Sequence, residues 1–85
     1  MEQYQNLSSS SGIVGYHIGE HFIVVRFRDG KWTYYNYTYT SAGQEVIEHM
    51  KNLARSGAGL HSYISSRTTN PPYSKKGNSF NEVVS

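Results

Sequence analysis

Six side chains in the first half of the chain combine aromatic rings with fixed cations. Phe22, Tyr35 and Tyr37 offer flat faces, while Arg26, Arg28 and Lys31 offer positive charge. Presented together on an open sheet, such a set suits single-stranded RNA, whose bases stack on rings at ~1–3 kcal/mol each and whose phosphates meet Arg and Lys. Aromatic and Arg side chains also anchor protein interfaces, so the alternative is a protein-interaction module: a homodimer, or a small phage- or plasmid-encoded adaptor or inhibitor. The plain reading is a solvated or tail-covered surface, because Tyr is a good strand former and basic residues flank many turns. A second cluster of Lys51, Arg55 and Arg67 could widen the basic surface, although late-helix cations also serve the helix dipole.

Other chemistry finds less support. His17 and His21 stand four apart, but a turn lies between them, and His49 and His61 have no acidic or thiol partner at a recognised ligand spacing. No metal and no cofactor is expected. Catalysis is not expected either. No serine lies in a G-x-S-x-G elbow, no phosphate-cradling glycine loop follows a strand, and Glu45, Glu48 and His49 fit the exposed side of a helix. Asn70-Pro71-Pro72-Tyr73 spells the peptide motif N-P-x-Y, which reads as chance, with Lys75 and Lys76 as a solvated charge pair.

Two glycine-marked turns must position the six residues. Gly19-Glu20 and Asp29-Gly30 match two-residue hairpin loops, since glycine accepts the positive φ of primed turns. The first turn pairs Tyr16 with Ile23 and Val14 with Val25; the second pairs Phe27 with Trp32, Val25 with Tyr34 and Ile23 with Asn36. Alternation then turns Val14, Tyr16, Ile18, Ile23, Val25, Phe27, Trp32 and Tyr34 inward. It turns Ile13, His17, Phe22, Val24, Arg26, Arg28, Lys31, Thr33, Tyr35 and Tyr37 outward. A one-residue slip at Asp29-Gly30 would invert the third strand.

Ser41-Ala42-Gly43-Gln44 reads as a capping box opening a helix over 42–56, whose apolar stripe is Val46, Ile47, Met50, Leu53 and Ala54 and whose stop is Gly57. Leu60, Tyr63 and Ile64 predict a short second helix ending near Arg67, before Pro71-Pro72. The fold expected is α+β: a three-stranded antiparallel meander followed by one main and one short helix on a single face (βββαα). Residues 1–12 and 68–85 are polar and aperiodic and read as flexible tails around a domain over 13–67.

The chain has 85 residues, a net charge of +2 and no cysteine, which allows one small domain without disulfides or thiolate metal sites. The charge is weaker than that of a dedicated duplex-DNA binder. No apolar run approaches the ~20 residues of a membrane span, and no secretory leader is visible, so a cytoplasmic protein without a membrane partner is expected. The sequons Asn6-Leu7-Ser8 and Asn36-Tyr37-Thr38 are then coincidental.

Gly15-Tyr16, the alternation Ile23/Val25/Phe27, Gly30, Trp32-Thr33-Tyr34, Ala54-Arg55-Ser56 with Gly57, and Ile64 follow one another in an order that resembles the KTSC domain. This small module is named for the C-terminus of some lysyl-tRNA synthetases. The resemblance covers about residues 8–67. The function of that family is not established and RNA binding has only been suggested for it, so the resemblance implies a fold and leaves the activity open.

Overall fold

The computed structural model describes residues 1–5 and 12–84. Strands β1 (Glu2–Gln3), β2 (Ile13–Ile18), β3 (Phe22–Phe27), β4 (Tyr34–Thr38) and β5 (Lys75–Gly77) form one antiparallel sheet in chain order. Helices α1 (Tyr39–Ala42), α2 (Gln44–Ser56) and α3 (Leu60–Ser65) follow β4, and α4 (Phe80–Val84) follows β5. The fold is mixed α+β, but five strands and four helices replace the expected βββαα arrangement. Segments expected to be tails are part of it. β1 and β5 form the two edges, and Tyr4 is buried with its hydroxyl accepting the Leu60 N–H at 3.3 Å. Residues 6–11 of the expected N-terminal tail, with the sequon at Asn6, lie outside the described residues.

Register explains the layers. The first hairpin turns at Glu20-His21, one residue later than expected, with the Gly19 N–H donating to Phe22 O at 2.9 Å. Ile18 pairs Ile23 and Tyr16 pairs Val25, a shift of two that preserves the faces. A bulge between Ile13 and Gly15 then brings Ile13 opposite Phe27 and buries it, where Val14 had been expected. The second hairpin differs in kind. The Phe27 N–H donates to Thr33 O at 2.7 Å, closing an odd loop over residues 28–32 with Gly30 at φ 122°. Val25 accordingly pairs Tyr35 and Ile23 pairs Tyr37. The third strand is inverted relative to the two-residue turn: Tyr35 and Tyr37 turn toward the helices, Tyr34 and Asn36 away from them.

α2 lays Ile47, Met50 and Ala54 on that helix-side face, joined by Leu60 and Ile64 of α3 and by Ile13, Ile23, Val25 and Tyr37 of the sheet. Gly57 ends α2 in the left-handed region at φ 78°, donating to Leu53 O and Ala54 O. The helix begins later than predicted. Thr38 and Ser41 form the reciprocal box around the single turn α1, and Gly43 precedes α2, because Ser41 sits three residues inside a cap and not at one. The opposite sheet face is closed by α4: Val24 and Val83 are buried against each other's layer, and the Asn36 amide donates to Val83 O at 2.8 Å.

Candidate functional site

The six residues of the expected RNA-binding face do not share a surface. Arg26, on β3, projects opposite to Tyr35 and Tyr37, because Arg26 pairs Tyr34 while Val25 pairs Tyr35. Phe22 also lies on the α4 side, where His17 is 6.0 Å from its ring and 5.0 Å from that of Phe80. Arg28 and Lys31 fall in the loop between β3 and β4. The physical cause is the odd loop, which changes the parity of every residue after it. A signal was present in the sequence: the two-residue register placed Asn36 inward beside Ile23, burying an amide among aliphatics.

The structure gathers a different set. Phe27, Trp32, Tyr35, Tyr37 and Tyr73 line a cleft of ≈ 400 Å³ with Ile64 and Pro71, and Asp29, Lys31 and Asn70 stand at its rim. Trp32, expected in the core, is half-buried in this wall. Tyr73 stands edge-on to Tyr35 at 5.0 Å and to Tyr37 at 6.5 Å, and Phe27 is edge-on to Tyr35 at 5.4 Å. Tyr37 is the floor, 3 % exposed; its hydroxyl is pushed well above the usual phenol range by burial first, and then by the neighbouring Tyr35 and Tyr73. Tyr73 is the accessible ring, 42 % exposed.

Charge enters from two sides. Lys31 Nζ lies 5.5 Å from the Trp32 ring centroid, and Lys76 Nζ lies 5.8 Å from Trp32 and 5.6 Å from Tyr73. Lys76 reaches the cleft because β5 pairs it with Tyr35, which sends both side chains to one face. Neither ammonium has a salt bridge among the described residues. Tyr73 and Lys76 escaped the sequence reading because both fall in a stretch taken as a tail. Pro71, which leads into this stretch, is buried among the residues that line the cleft.

A second polar constellation lies midway along α2. Lys51, 4 % exposed, donates from Nζ to Glu48 Oε2 at 2.8 Å and to the Glu20 carbonyl at 3.0 Å, and sits 5.5 Å from the Tyr39 ring. The Tyr39 hydroxyl donates to the same Glu48 oxygen at 2.6 Å, and His21 stands 5.1 Å from the Tyr39 ring. The Lys51 and Tyr39 hydrogen bonds hold the Glu48 carboxyl below its usual range; the bond to Glu48 raises Tyr39. Lys51 is thus a tether between helix and turn, and it adds nothing to an open basic surface. Arg55 and Arg67 are exposed. His17 and His21 lie in separate surroundings, and among the described residues no three His, Asp or Glu side chains gather around a common point. No helix among the described residues is long and apolar enough to cross a membrane.

Comparison with protein families, with curated proteins and with solved structures returned no match to this chain.

Proposed function

We propose that this protein is a non-catalytic binding module that holds single-stranded RNA in the aromatic cleft. The observation that carries this reading is Trp32, half-buried in a ring-lined cleft with two ammonium groups within 6 Å of its ring centroid that form no salt bridge among the described residues. A base stacks on Trp32 or Tyr73, and Lys31 and Lys76 leave the rings to meet the flanking phosphates. The cleft volume is in the range that takes one nucleotide-sized group.

The protein carries its own reporter, because Trp32 is the one tryptophan. Titration with short oligouridylate and oligoadenylate should quench its fluorescence. With two phosphates engaged, log K against log salt should slope at roughly −1.4. Absence of quenching at millimolar nucleotide, or quenching insensitive to salt, would remove the reading.

One observation favours a second reading. One wall of the cleft is a proline-containing segment of the chain itself, with Asn70, Pro71 and Tyr73 in the lining and the Tyr73 ring edge-on to Tyr35 and Tyr37. Aromatic grooves take such chains from partner proteins as well. Competition by a proline-rich peptide, with no response to RNA, would assign the site to a protein partner.

A further inference from the structure

We propose that the RNA strand, on the reading above, continues from the cleft across the β5 edge to a second subsite on the opposite face, built by Arg26 and Tyr34. Tyr34 and Tyr35 are consecutive on β4 and open on opposite faces. The three-residue strand β5 is the sheet edge beyond them. Behind Tyr34, α4 covers the sheet over Val24 and Asn36 and begins at Phe80, leaving a groove of ≈ 280 Å³ lined by Gly15, Arg26, Tyr34 and Phe80. The Arg26 guanidinium lies 5.5 Å from the Tyr34 ring centroid, is exposed, and has no salt bridge among the described residues.

An Arg plane over a tyrosine ring is a ready platform for a second base, with its outer N–H groups free for a phosphate. Gly77 pairs with Tyr34 at the sheet edge, and the Glu82 side chain of α4 packs over Gly77 where a β5 side chain would otherwise stand. Two carboxylates oppose an anionic ligand here: Glu2, which lines the far side of the groove, and Glu82, which packs on Gly77 beside Tyr34. The two subsites face opposite ways, so one strand reaches both only above a minimum length, on the order of four nucleotides or more. A mononucleotide or dinucleotide fills the cleft alone.

The test compares a dinucleotide with a decanucleotide of the same base on the intact chain, reading Trp32 quenching. Arg26→Gln should leave the dinucleotide affinity unchanged and weaken the decamer roughly five- to tenfold, lowering its salt slope by about 0.7. Glu2→Gln should tighten only the decamer. Equal effects on both lengths, or none on either, overturn the second subsite while leaving the cleft intact. No quenching by either probe in the unsubstituted protein sinks the cleft reading and this one together. Matching melting curves for Arg26→Gln and the parent exclude a folding defect.

Discussion

Lys51 Nζ and Glu48 Oε2 lie 2.8 Å apart across one turn of α2, and the same ammonium reaches the Glu20 carbonyl 3.0 Å away. One lysine therefore ties the main helix to the first hairpin turn. Its stem is packed and its head satisfied, which is how a buried charge is tolerated. Lys51→Ala should destabilise the protein by about 2–3 kcal/mol in urea unfolding, through lost stem packing and two lost hydrogen bonds. Lys51→Met keeps the stem and should cost about half as much. Equal losses would show that the ammonium matters more than the stem.

The same cluster predicts a pH signature. Lys51 and Tyr39 lower the Glu48 carboxyl below its ordinary value of 4.5, so its stabilising contribution is complete above that value and is lost as pH falls through the lowered folded value. Tyr39 is raised by its bond to Glu48, so the neutral phenol's contribution holds below 10.0 and disappears as pH climbs through the raised folded value. Thermal melts should flatten between these limits. Glu48→Gln should reduce both the acid and the alkaline loss.

Asn36 carries the contact between sheet and α4, with its amide on Val83 O and its Oδ1 buried without a hydrogen-bond partner among the described residues. Asn36→Leu removes the orphaned Oδ1 but also takes the donor from the buried Val83 carbonyl, and should cost about 1–2 kcal/mol. Asn36→Asp places a carboxylate against a carbonyl, and should cost more than about 2 kcal/mol near neutral pH. Faster amide exchange over 80–84 in the Asp variant would locate the damage in α4.

Gly19 faces the Phe22 ring so closely that a Cβ there would collide with it. Gly19→Ala should therefore cost about 1–3 kcal/mol by overpacking. Combined with Phe22→Ala, the alanine at 19 should become nearly neutral, giving a coupling energy that a double-mutant cycle reads directly.

Tyr73→Ala should weaken oligonucleotide binding by roughly tenfold, the scale of one lost stacking platform, with little change in folding because the ring is 42 % exposed. Tyr37→Ala should unfold the cleft floor and act on stability first, since only 3 % of that ring is exposed. A binding defect for Tyr37→Ala with unchanged stability would contradict these roles.

Much of the α+β layout is legible from local pattern. The stripe Ile47, Met50 and Ala54, the stop at Gly57 and the inward set Ile23 and Val25 follow from periodicity and backbone preference. Parity around the second hairpin does not. Asp29-Gly30 is an apt two-residue turn locally, but the ring layer of Tyr35 and Tyr37 under the helices and the exclusion of Asn36 from them select an odd loop. Long-range pairing decided this, which local turn chemistry cannot register. The edge strands were equally hidden: two- and three-residue strands with polar side chains acquire their state only from a neighbour. The cleft followed them out of sight, since Tyr73 and Lys76 belong to it only once β5 has docked.

The late position of β5 and α4 in the chain has a consequence for biosynthesis. Until β5 and α4 dock, the outer flank of β4 lacks its neighbour and the Val24 layer is wet. A folding chain that has already formed its main helices would thus display a bare, adhesive sheet, and chaperone dependence should concentrate in that interval.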